Sequence, residues 1–195
     1  MPYLRIVLVS TLLLVAANAA GYSVQVNKVS DFPTAFTTLA MLPASGPTGF
    51  DTIWLETLLA EKLTRRGITI IPARVVRQAM FDLQITAITE DNRRVLAQKV
   101  GADAFLAASV DAAGTENAGS VGVIIAGVFT AIPSERNTGS VQLAIVSAES
   151  GKLLMQGYGH GQSELRTKRG VIGKTFDNIL DKVFTPDYFA KRGVK

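Results

Sequence analysis

The most regular apolar stripe in the sequence lies near its end. From Lys168 to Phe184, Ile172, Phe176, Ile179, Leu180 and Val183 fall at offsets 0, 4, 7, 8 and 11, the spacing of one face of an α-helix. A helix greasy on one side must lay that side on another element. The preceding chain supplies a sheet for it. Thr37 to Met41 reads as a strand ended by Leu42-Pro43, since proline cannot donate to a ladder and holds its predecessor extended. Ala44-Ser45-Gly46-Pro47-Thr48-Gly49 is a cluster of turn residues.

A helix over Phe50 to Arg66 follows, with Leu55, Leu58, Leu59 and Leu63 on one face. Gly67 is its left-handed stop, and Ile68 to Ile71 is a short strand closed by Pro72. Arg74 to Ile85 reads as a helix with Val75, Val76, Ala79, Met80 and Leu83 inward. Thr89 then caps another, with Glu90 and Asp91 in its positive first turn, Leu96 and Val100 inward and Gly101 as its stop. Ala104 to Val110 is a continuous apolar strand of the kind buried on both faces. Asp111 to Ser120 is small and polar, Val121 to Ile132 apolar, and Pro133 to Gly139 a turn region. Val141 to Val146 and Leu153 to Tyr158 form a hairpin around Glu149-Ser150-Gly151. Ala20 to Ser30, with alternating Val24 and Val26, is either an edge strand or an extended arm. The order describes an α/β (α+β) domain: a single mixed β-sheet with helices packed on it, parallel in its early units and antiparallel in its late hairpin.

Composition narrows the chemistry. The chain of 195 residues has no cysteine and one histidine, His160, which excludes disulfides, thiolate metal sites, thiol catalysis and a zinc site of several imidazoles. No metal and no cofactor is expected. Met1 to Ala19 carries one early cation, Arg5, then an apolar run, and Ala17-Asn18-Ala19 fits small-residue cleavage before Ala20. The run is shorter than the roughly 20 residues needed to span a bilayer as a helix, so residues 1–19 read as a cleaved signal peptide. The expected organisation is then an extended segment over 20–34, a domain over 35–184 and a basic tail over 185–195, located in the periplasm, in contact with the outer membrane under some readings. The net charge of +4 suits many anionic neighbours and names none.

The order of these motifs resembles a known superfamily. Leu42-Pro43, Arg66-Gly67 before Ile68 to Pro72, Leu96-Ala97-Gln98-Lys99-Val100-Gly101-Ala102-Asp103-Ala104, and Leu143-Ala144-Ile145-Val146-Ser147-Ala148-Glu149-Ser150-Gly151-Lys152-Leu153-Leu154 resemble the family of the periplasmic domain of the curli secretion channel CsgG, the amino-terminal domain of TolB and the LpoB-type activators of penicillin-binding proteins. The resemblance implies a non-catalytic binding or assembly module of the bacterial envelope. Curli channels are lipoproteins with two membrane-inserting hairpins; this chain lacks the lipidated cysteine, and Asp111 to Gly139 is the one insertion of suitable length.

Four surfaces are candidates. The amides of Ser45, Gly46, Thr48 and Gly49 precede a helix and could cradle an anion at its positive end, although they lack the lysine of a phosphate-binding loop and equally make a tight turn. Arg74, Arg77, Arg93 and Arg94, with Arg65, Arg66 and Lys99, cluster in the helical middle and either face an acidic partner or coat solvated helices. Aromatic residues do not interleave with them, which argues against nucleic acid. Val121, Val123, Ile124, Ile125, Val128 and Phe129 offer a membrane or oligomer contact, or else an ordinary core strand. His160, with Ser163 and Glu164 nearby, is a surface histidine or, at most, part of a hydrolytic site; nothing matches a nucleophile elbow. The expected function is an exported, non-enzymatic module binding other envelope proteins or further copies of itself, with peripheral membrane contact. The alternative is a membrane-associated oligomeric secretion component.

Overall fold

The sheet is ordered by its parallel centre. In a computed structural model, which describes residues 20–30, 32, 36–125, 128–185 and 188, β2 (Thr38–Met41) runs parallel to both β3 (Thr69–Ile71) and β4 (Ala104–Ile125). β5 (Val128–Ser147), β6 (Leu153–Ser163) and β1 (Ala20–Lys28) add antiparallel strands outward from β4. The order across the sheet is β1-β6-β5-β4-β2-β3. The mixed sheet read from the sequence is therefore present, and Ala20 to Lys28 is a full edge strand rather than an arm. The expected signal peptide lies outside the described residues, as does most of the expected basic tail.

Helix α1 (Thr52–Arg65) and helix α4 (Lys168–Val183) cover one face. Leu55, Leu59 and Leu63 of α1 and all five stripe residues of α4 are buried there with Leu39, Met41, Leu106, Leu143 and Ile145. Helix α2 (Ala73–Asp82) and helix α3 (Glu90–Val100) lie on the other face, where Val76, Ala79, Leu96 and Ala97 close over Ala40, Phe105 and Ala148. This second core is the smaller, because α2 and α3 reach only the β2 end of the sheet. Strand β4 is consequently buried on both faces only near its start; Ala107 and Ser109 are partly open. Val75, expected inward, is 42% exposed, because α2 rests on Ala73, Val76 and Ala79 and Val75 points away from that contact.

Local signals behave as their chemistry requires. Thr89 accepts from the amide of Asn92 while Asn92 answers the Thr89 amide, a reciprocal cap. Gly101 and Gly151 hold φ of 73° and 70°, left-handed values that favour glycine. Asp103 accepts the amides of Thr37 at 2.9 Å and Thr38 at 3.0 Å, and so fixes the start of β2 against β4.

Helix α4 sits unusually close to the sheet. A Cβ on Gly157 would come within 2.6 Å of Ile179 Cγ2, and Cβ atoms on Gly159 and Gly161 would collide with Thr175. Three glycines at alternate positions of β6 thus form the floor on which the helix lies.

The segment between Asp111 and Gly139 corrects the sequence reading most. Pro133 to Gly139 is not a turn, and Val121 to Ile132 is not one strand. β4 and β5 continue as paired partners out to Ile124↔Phe129 and Ile125↔Val128, with register shifts at Val110/Ala112 and Asn117/Gly119. β6 ends its pairing at Asn137↔Ser163. Past that point the two strands form a ribbon with no third strand beside it among the described residues, extending roughly 30 Å at about 3.4 Å per residue.

Candidate functional site

The loop before α1 is committed to structure. Ser45 extends the pairing of β2 with β4: its amide donates to Ala108 O at 3.1 Å, and its carbonyl accepts from Val110 at 3.0 Å. Gly46 lies against Phe50, where a Cβ would approach to 2.8 Å, and Gly49 has φ of 79°. Thr48 is exposed. The positive end of α1 already holds a carboxylate: Asp51 accepts the Trp54 amide at 2.9 Å and also meets Arg169 at 2.9 Å, with that guanidinium over the Trp54 ring. The sequence reading passed over Asp51, although Asp directly before an apolar periodic run is a cap signal.

The basic cluster divides once its partners are seen. Arg77 forms a two-pronged pair with Glu56, at 2.6 and 2.7 Å, and Glu56 also accepts the Ala44 amide at 3.0 Å. The hydrogen bond from Arg77 to Glu56 raises the Arg77 pKa, with Coulombic attraction adding to it against an opposing desolvation. The charged form is favoured in the fold, so this stabilisation is present at ordinary pH and fades only as pH rises through a folded value above the usual arginine range. Arg66 pairs with Asp177 and Asp181, and Arg65 with Glu61. Arg93 donates to Ala148 O and Arg94 to Glu149 O, at 3.0 and 2.9 Å, which clamps the β5–β6 turn to α3. Arg74 and Lys99 have no partner among the described residues. They flank a groove of about 370 Å³ between α2 and α3.

Two further concavities matter. One, of about 790 Å³, lies where α3, the β5–β6 turn and the start of β2 meet, between Arg94, Gln98, Asp103 and Glu149. The second is the sheet face that α2 and α3 leave open. There Ser23, Gln25, Tyr158 and His160 are exposed on β1 and β6, with Ser140 and Gln142 of β5 beside them. The alternation of Tyr158 and His160 with Gly157, Gly159 and Gly161 was the signal for this face, because period two puts the small residues inside and the polar ones outside.

On this face His160 meets Ser140, not Ser163: Ser140 Oγ lies 3.0 Å from His160 Nδ1. Ser163 is buried on the helix side, where its Oγ accepts the Leu165 amide at 3.2 Å. A serine–histidine pair needs donors aimed at a developing oxyanion. Here the surrounding amides belong to the ladders of β5 and β6. Asp111, in the same shallow depression, accepts from Ser109 at 2.9 Å. Among the described residues no group of three His, Asp or Glu side chains is placed to hold a metal.

Val121, Val123, Ile124, Ile125, Val128 and Phe129 come together at the end of the ribbon, at the paired positions Val121↔Ile132, Val123↔Thr130, Ile124↔Phe129 and Ile125↔Val128. The turn residues Ala126 and Gly127 are outside the described residues. No helix among the described residues is long and apolar enough to cross a membrane.

A scan of protein-family models and a search of curated proteins found no match. Among solved structures, the PelC dodecamer from Paraburkholderia phytofirmans is similar with a TM-score of 0.53 at 13% identity, over 85% of this chain and 99% of that one. The lipoprotein GNA1162 from Neisseria meningitidis is similar with a TM-score of 0.51 at 18% identity, over 75% of this chain and 97% of that one. The LpoB C-terminal domain from Salmonella enterica is also matched, with a TM-score of 0.43 at 16% identity, over 78% and 91% of the two chains. The resemblance to CsgG and TolB rests on the sequence motifs alone. What this chain shares with the PelC and GNA1162 structures is a fold.

Proposed function

We propose that this chain is a non-catalytic assembly module of the bacterial envelope, exported to the periplasm by its amino-terminal segment, which works by binding other envelope proteins and further copies of itself. The observation that carries this reading is the ribbon. A two-stranded hairpin alone is marginally stable in water, yet this one runs past the end of β6 with no helix or strand on it among the described residues. From Asn117 to Ser134 it contains no charged residue. Such an element is suited to being covered by a partner. The fold it extends is shared with the PelC dodecamer and with the lipoprotein GNA1162; with no cysteine, this chain would join such an assembly through protein contacts.

The test is to replace residues 118–134 by Asn-Gly, a pair suited to a tight hairpin turn, between the paired Asn117 and Glu135. In sedimentation, the chain from Ala20 onward is expected above monomer mass and the shortened chain at monomer mass, with melting little changed. A monomer for both would overturn the reading. The second reading, a membrane-associated ring, is favoured by the uncharged tip. Flotation with lipid vesicles that depends on residues 118–134 would select it.

A further inference from the structure

Of the eight cations from Lys62 to Lys99, six are tied to carboxylates or carbonyls within the fold. Arg74 and Lys99 are not, and both border the groove between α2 and α3, which Val75, Ala79 and Val100 also line. Two large apolar residues on these helices are exposed outside the groove. Phe81 is 80% exposed and Val95 49% exposed. Phe81 follows Arg74 and Gln78 at helical spacing, and Val95 precedes Lys99 by four positions, so each helix offers an exposed apolar residue on the same stripe as its unpaired cation.

We propose that the α2–α3 groove docks a segment of a partner protein in which one apolar anchor side chain is flanked by carboxylates. The volume, about 370 Å³, takes a single large side chain, and the two cations stand where flanking acids would meet them. An apolar anchor in a desolvated pocket with charges on the rim is the usual anatomy of a protein-binding hot spot. Anionic lipid is the weaker occupant. Electrostatic membrane binding draws on clusters of about four to eight basic residues. This surface has two, with Asp82 on the same groove and Glu90 and Asp91 at the start of α3. The proposal rests on the binding-module reading but on a surface separate from the ribbon, and its test reads affinity where the ribbon test reads mass.

The probe is a fluorescent helical peptide carrying one leucine with glutamates at the i−4 and i+4 positions, beside a counterpart with lysines in their place. Fluorescence anisotropy is expected to show the glutamate peptide binding at least tenfold more tightly. The double variant Arg74→Glu/Lys99→Glu is expected to reverse that preference, and Val75→Ser/Phe81→Ser to weaken both peptides several-fold. Reversal of preference is a readout that misfolding does not imitate, and a Lys168→Glu variant, at the start of α4 on the opposite face of the sheet, should behave as the unmodified chain. The proposal is overturned if the two peptides bind alike, if the glutamate peptide does not bind, or if charge reversal leaves its affinity unchanged. It is overturned in favour of a membrane surface if phosphatidylglycerol vesicles, and not the peptide, lose binding in the Arg74→Glu/Lys99→Glu variant.

Discussion

Gly157, Gly159 and Gly161 are visible in the sequence as an alternating row, but their role belongs to the helix that follows. Nothing local to β6 says that α4 will lie against them; the contacts with Thr175 and Ile179 join residues brought together by the fold. His160 drew attention because it is chemically distinctive, while the glycines on either side carry the packing. Gly159→Val should therefore be costly. Its side chain would enter space held by Thr175, and overpacking of this kind costs about 1 to 3 kcal/mol. A urea melt checks this, with an unchanged midpoint as the contrary result. Gly101 and Gly151 were legible for the opposite reason: a left-handed backbone is a local demand, and Gly101 stands directly after α3 while Gly151 lies in the β5–β6 turn.

Among the elements, helices whose ends carry their own chemistry were the easiest to place. The reciprocal cap between Thr89 and Asn92 starts α3 where the Thr-Glu-Asp run indicates, and Thr89→Ala is expected to lower stability by about 1 kcal/mol in denaturant unfolding, with Thr89→Ser largely retaining it. The ribbon was not legible. Pro133, Ser134, Asn137 and Gly139 are residues that favour turns, yet here they form part of a strand, because pairing with β4 across many positions outweighs local preference. Pro133 sits opposite Ser120, close to the register shift after Asn117, in the kind of irregular or edge setting where a strand tolerates proline. The basic cluster was legible as composition only. Which arginines are engaged depends on Glu56, Asp177 and the carbonyls of the β5–β6 turn, and no spacing rule on the helices themselves reveals that.

The whole molecule has two unequal layers. The face under α1 and α4 holds the main core, closed at one end by Phe32, Phe36, Phe184 and Tyr188 packed ring against ring, whereas α2 and α3 rest on the smaller one. Cooperative units with fewer buried apolar contacts open at lower free energy. Native-state hydrogen exchange should accordingly show the amides of α2 and α3 exchanging through an opening at least about 1 kcal/mol easier than that of β5, β6 and α4. Exchange of all these amides at one common global value would refute the division. If the α2–α3 groove is a docking site, it lies on the layer that yields first, and an occupant would stiffen it.

The placement of β1 bears on when the fold can form. The strand that comes first in the sheet-forming chain pairs along its whole length with β6, from Ala20↔Ser163 to Lys28↔Met155, and its Val24 carbonyl is held by Lys182 at a separation of 158 positions. Closing so long a loop is entropically expensive and slow. As the chain emerges from its amino end, β1 waits without a partner until nearly every other residue has followed. Until β6 is available, the leading strand stays open to any chaperone that reads extended backbone.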